Sequence, residues 1–190
     1  MDNFSDGKLV KRYLGGDQAA LDFLIERYLK HVYNFVAKFI GNAKEAEDLT
    51  QDIFFRAWRN LKKFDAKKSF RIWLFTIARN RSVDYLRKKK MLVFSELDKE
   101  DEETPYSETI IDQDESIVDQ INKAELAKEV KNYLARLSES NRAVLLLRYN
   151  QQMTFQEIAE LLGESVDTIK SRHRRALGYL KKAIAEKQEF

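Results

Sequence analysis

At 190 residues the chain has room for one or two domains, each with a modest core. It is 44% hydrophobic and 34% charged, with six glycines, one proline and no cysteine. That composition predicts long, seldom interrupted helices and excludes disulfide and thiolate chemistry, as in a reducing cytoplasm. The net charge of +3 hides an asymmetry: residues 1–94 carry 20 Lys/Arg against 11 Asp/Glu, residues 95–123 carry 2 against 11, and residues 124–190 carry 12 against 9. Two basic segments thus flank an acidic one. No apolar run approaches the ~20 residues of a membrane span, and no basic opening leads into an apolar stretch, so a cytoplasmic protein without membrane insertion is expected.

A short first helix should end at Gly15-Gly16. Over residues 17–40, Leu21, Leu24, Ile25, Tyr28, Val32, Phe35, Val36 and Phe39 recur at spacings of three and four, with Asp17 as the expected N-cap and Gly41-Asn42 as the stop. Residues 43–62 form a third helix with Ala46, Leu49, Ile53 and Ala57 on one stripe. Its opposite face gathers Glu47, Asp48, Gln51, Phe54, Phe55 and Trp58. Such a mixture either docks a partner or packs beneath a neighbouring helix, and spacing alone does not choose between them. Ser69 can cap a fourth helix from Phe70 to about Lys90. Residues 1–94 therefore read as an all-helical bundle.

Residues 95–123 combine acids, Ser, Thr and Pro105 with little periodicity, the composition of a flexible linker. Fully extended, it reaches at most ~100 Å. The second domain, 124–190, opens with a helix over 124–136 and an apolar one through 141–149. Thr154 and Glu157 then make a capping-box pattern for a short helix from Phe155 to about Leu162. Gly163 permits the positive φ of a tight turn, and Ser165 caps a long final helix. Ile158, Ala159, Leu162, Val166, Ile169 and Leu177 form the seam between the two. Helix, glycine turn and longer helix make a helix-turn-helix. Asp167, Thr168, Lys170, Ser171, Arg172, Arg174 and Arg175 point away from that seam, together with Ser165 at the cap. This is the arrangement that offers side chains to base edges in a major groove and cations to phosphates.

The segments "AEDLTQDIFFRAWRNL" (46–61), "SFRIWLFTIARNRSVDYLRKKK" (69–90) and "TIKSRHRRAL" (168–177), in that order across an acidic spacer, strongly resemble the extracytoplasmic-function (ECF) group of bacterial RNA polymerase sigma factors. The resemblance covers roughly residues 8–90 and 125–185. It implies an all-α protein with a region 2-like bundle and a region 4-like helix-turn-helix domain. It also implies that Glu47, Asp48, Gln51, Asp52, Phe54, Phe55 and Trp58 dock on the β′ clamp of core RNA polymerase. Residues 64–90 would open and read the −10 promoter element. Residues 138–184 would read the −35 element as duplex and touch the β flap.

On the fourth helix, Phe70, Leu74, Ile77, Ala78, the Arg81 stem and Tyr85 share a face toward the bundle, leaving Trp73, Thr76, Asn80, Asp84, Arg87 and Lys88 on another. A ring, hydrogen-bonding groups and cations are what a separated strand requires. Lys67, Lys68 and Ser69, just before the helix, are expected to hold a flipped base and its phosphate. The resembled group often has an anti-sigma partner covering both DNA-binding domains. His173 stands where that group more often carries an aliphatic residue and is expected to be a partly buried packing residue. Neither it nor His31 suggests a metal site, and no cofactor is expected. The alternative is a stand-alone helix-turn-helix regulator whose first domain senses or oligomerises. An enzyme is not expected, because the sequence has no phosphate-cradling glycine loop and no paired His and carboxylate.

Overall fold

A computed structural model describes residues 4–95 and 129–188, and every regular element among them is helical. In the first half these are α1 (Asp6–Leu14), α2 (Ala19–Ile40), α3 (Ala43–Asn60), a 3-10 turn (Leu61–Lys63) and α4 (Phe70–Ser95). In the second they are α5 (129–136), α6 (Glu139–Leu145), a π-helical segment (Leu146–Asn150), α7 (Phe155–Leu162) and α8 (Val166–Gln188). The acidic linker, apart from Ser95, and the start of the helix expected over 124–136 lie outside the described residues.

The periodic apolar positions of α2 build the first core. Val32, Phe35, Val36 and Phe39 are fully buried, and Phe35 meets Phe75 of α4 edge-to-face at 5.6 Å. Small residues on α3, Ala46 and Ala57, let it approach α2 closely, with Ile53 buried between them. Helix α1 is clipped to α2 by Asp6, which accepts from Arg27 and from the Tyr28 hydroxyl, both at 2.6 Å. Burial, reinforced by the Asp6 hydrogen bond, pushes the Tyr28 phenol well above its ordinary range.

Local stop and start signals act as the sequence predicts. Gly41 ends α2 in the left-handed region at φ 74, its N–H donating to Ala37 O, and Asn42 then caps α3 by accepting from Glu45 N at 3.2 Å. Ser69 Oγ accepts from Ile72 N at 3.3 Å to open α4. Asp17 departs from expectation. Its carboxylate is held by Arg12 at 2.7 Å, and α2 begins after Gln18 with no side-chain cap. The guanidinium at the end of α1 competes for the same carboxylate, and the pair it forms joins two full charges.

The second departure is the π-helical segment. Leu145, Leu146 and Leu147 are all buried, whereas an ordinary surface helix turns one of three consecutive residues toward water. Here the segment is covered from two sides, by α2 of the first half and by the helices of the second. Gln151 N bonds back to Leu146 O at 3.1 Å, closing the wider turn, and Gln152 follows at φ 53.

The two halves pack directly on each other. Arg142 of α6, only 8% exposed, donates to Phe39 O at 2.5 Å and lies over the Phe39 ring. It also donates to Ala135 O and Leu137 O of its own half. Gln151 Nε2 donates to His31 O at 3.2 Å, and Arg71 at the start of α4 donates to Gln151 O.

Candidate nucleic-acid interface

In the second half, Thr154 and Glu157 form the reciprocal box. Glu157 N donates to Thr154 Oγ1 at 3.2 Å, and Thr154 N donates to Glu157 Oε2 at 2.7 Å. That backbone hydrogen bond is the main reason the Glu157 carboxyl sits below its usual range. Gly163 makes the turn at φ 67, and Ser165 Oγ accepts from Thr168 N at 3.1 Å to start α8. Ile158, Ala159 and Ile169 are buried in the seam, with Leu162, Val166 and Leu177 packed against it.

Opposite the seam, Asp167, Lys170, Arg174 and Arg175 are exposed. The outer-face residues are not equally free. Arg172 is tied across the turn to Glu164 at 2.9 Å, and Ser171 Oγ accepts from Arg175 at 3.2 Å. Thr168 shares its hydroxyl with Ser165 at 2.9 Å. His173 is half-buried, stacked on Tyr149 at 5.6 Å and edge-on to Phe155 at 5.1 Å. Burial, with Arg148 nearby, lowers its pKa from the ordinary 6.5.

On α4 the expected outer face divides. Asn80, Asp84, Arg87 and Lys88 are exposed along one line, with Lys67, Lys68 and Ser69 exposed in the preceding loop. Trp73 is half-buried in an aromatic cluster with Phe64 at 5.1 Å and Phe70 at 5.5 Å, and the Thr76 hydroxyl donates to Ile72 O. Asn80 Oδ1 accepts from Arg79 at 3.0 Å. A guanidinium only donates, so the carbonyl faces it and the Asn80 amide NH₂ points outward as a donor.

The α3 face exposes Glu47, Asp48 and Gln51, and Phe55 is 60% exposed with Arg59 over its ring. Trp58 is half-buried, because Tyr13 of α1 meets its ring edge-on at 4.9 Å, and Phe54 packs against the core. The wheel sets both aromatics away from the core stripe and leaves open whether they dock a partner or pack beneath a neighbouring helix; the structure partly buries both. The covering residue comes from another helix, which a single-helix projection does not contain. Asp52 is engaged internally, by Arg56 at 2.8 Å and by Arg81 of α4 at 2.7 Å. Those two guanidiniums outweigh partial burial and lower its pKa. The ion pair between α3 and α4 was missed in the sequence, where Arg81 was read only as a stem lying on the bundle.

Comparison with known proteins bears on the family and the fold. The sigma-70 region 2 family matches residues 24–91 and the sigma-70 region 4 family matches residues 133–182. An ECF RNA polymerase sigma factor of Bacillus subtilis, SigW, is 31% identical over 183 residues, covering 94% of this chain and 96% of SigW. The RNA polymerase sigma factor YlaC of the same organism is 29% identical, covering 90% of this chain and 95% of its own. Among solved structures, CnrH in complex with the cytosolic domain of CnrY superimposes with a TM-score of 0.73 at 25% identity, covering 96% of this chain and 99% of CnrH. RpoE from Bartonella quintana, solved with the anti-sigma factor NepR, shares the fold, with a TM-score of 0.71 at 24% identity, covering 87% and 96% of the two chains. Two helical modules of this kind in this order define a sigma factor for transcription initiation. The chain belongs to the ECF group of RNA polymerase sigma factors.

Proposed function

We propose that this sigma factor docks on the β′ clamp of core RNA polymerase through the α3 face, reads the −35 element as duplex with α8, and captures the melted −10 strand along α4. The observation that carries the reading is the exposure of two separate polar faces rich in cations, beside a helix that leaves one large ring open to solvent. Asn80, Asp84, Arg87 and Lys88 line one face; Asp167, Lys170, Arg174 and Arg175 line the other; Phe55 lies among Glu47, Asp48 and Gln51 on the helix. Unstacking costs a few kcal/mol per base, and a surface that binds only the open strand offsets that cost by shifting the population toward it. The duplex reader anchors the complex through phosphates and base edges.

The β flap is the expected polymerase contact of the second module. CnrH was solved with the cytosolic domain of CnrY and RpoE with the anti-sigma factor NepR, and an anti-sigma partner is the regulator proposed for this chain as well. Cytoplasmic action follows from polymerase as partner, and among the described residues no helix is long and apolar enough to cross a membrane. Run-off transcription with core polymerase and a genomic promoter library tests the reading. Initiation at defined points sharing two spaced sequence elements is expected, and its absence on every template would overturn it.

A further inference from the structure

The stretch 75–90 places one acid, Asp84, among six cations, on the face that meets nucleic acid in the proposed function. A carboxylate there repels phosphates, so it does not share the backbone-contacting role of the cations around it. The structure surrounds it closely. Arg81 Nη1 lies 3.6 Å from Asp84 Oδ2 and Arg87 Nη2 lies 4.0 Å from Oδ1, so both cations attract the carboxylate without spending its acceptor positions on close hydrogen bonds. Arg81 is itself anchored, because its Nε donates to Asp52 Oδ2 of α3 at 2.7 Å and its side chain is only 28% exposed. Asp52 is fixed in turn by Arg56 one turn along α3. A chain of charges thus runs from the docking helix to the outer edge of α4. One turn before Asp84 the Asn80 amide offers donors, so the two side chains present opposite hydrogen-bonding character to whatever lies along α4.

We propose that Asp84 selects a base carrying an exocyclic amino group (cytosine, adenine or guanine) over thymine in the captured strand, and that Arg81 is the positioning residue that sets this selectivity from its anchor on Asp52. This inference rests on the strand-capture reading. A base amino group donates to a carboxylate, whereas the thymine edge offers one ring N–H flanked by two carbonyls that face the carboxylate unfavourably. With the anchor in place the carboxylate is held to one orientation, and without it Asp84 rotates freely on an exposed helix face.

The test is promoter selection from a randomised −10 library with core polymerase and the full chain, comparing wild type, Asp84→Ala, Arg81→Gln, Arg81→Lys and Arg81→Gln/Asp84→Ala. Thermal melts on each variant report folding. Asp84→Ala is expected to flatten one position of the preferred sequence, with discrimination falling about five- to tenfold or more. Arg81→Gln should flatten the same position and leave the −35 preference intact, and the double variant should be no flatter than Asp84→Ala. Arg81→Lys, which can pair with Asp52 but cannot fork toward Asp84, should recover thermal stability while recovering selectivity only in part. A sequence preference unchanged by Arg81→Gln, or by Arg81→Lys where the glutamine variant does not fold, overturns the inference while leaving strand capture standing. So does a uniform loss of initiation at every promoter, or a preference unmoved by Asp84→Ala. Failure of the wild type to initiate anywhere overturns the functional reading itself.

Discussion

Arg142 donates to the carbonyl of Phe39, 103 residues earlier in the chain, at 2.5 Å, and joins the two halves of the molecule at the end of α2. The same guanidinium satisfies Ala135 O and Leu137 O, so its removal strips donors from three carbonyls at once. Arg142→Met should cost about 2–4 kcal/mol, because buried acceptors left without donors keep their full desolvation penalty. Urea unfolding measures it. Arg142→Lys should recover only part, since an ammonium cannot fork among three acceptors.

The Thr154–Glu157 box gives a pH-dependent prediction. Thr154→Ala should cost about 1 kcal/mol. The Glu157 carboxyl, held down chiefly by the Thr154 backbone hydrogen bond, binds its proton less readily in the folded state than at its ordinary 4.5. Its contribution is therefore fully present above that value and is lost as the pH falls below it. The difference in melting temperature between wild type and Glu157→Gln should be largest near neutrality and shrink progressively as the pH is lowered below 4.5.

Phe55 and Trp58 lie on the same side of α3 but should fail differently. Phe55→Ala removes an exposed ring and should weaken binding to core polymerase about tenfold, with folding stability within about 0.5 kcal/mol of wild type. Trp58→Ala removes the partner of Tyr13 and should lower stability as well. Titration of core polymerase together with denaturant unfolding separates the two effects.

On α8, Arg174 and Arg175 are exposed, whereas Arg172 is paired with Glu164. Each Arg174→Ala or Arg175→Ala change that removes a phosphate contact should lower the salt slope of −35 duplex binding by about 0.9. Arg172→Ala should instead loosen the turn and reduce the stability of the second half. Binding isotherms at several salt concentrations check the first, and thermal melts check the second.

What was legible in the sequence was local. Gly41, Asn42, Ser69, the Thr154–Glu157 box and Gly163 act within four residues of themselves, so spacing alone places them. Departures arise where a residue outside the helix's own pattern intervenes. Arg12 takes the Asp17 carboxylate, Tyr13 partly covers Trp58, and Phe64 packs on Trp73. The same holds for the candidate site. The exposed line of α4 and the basic face of α8 follow from helical periodicity, but the Asp52–Arg81 tie spans 29 residues and no spacing rule reaches it. The π-helical segment was invisible for the same reason, because three consecutive leucines are compatible with burial only once a second layer exists to receive them.

The three clasps named between the halves, from Arg142, Gln151 and Arg71, all end on peptide oxygens. Peptide oxygens do not titrate, and neither a guanidinium nor an amide changes charge near neutrality, so these clasps respond little to acidification. Ion–dipole contacts also lapse over a shorter distance than paired charges do. Separating the halves therefore means breaking these contacts and the apolar packing beneath them directly, and a change of protonation does little toward it.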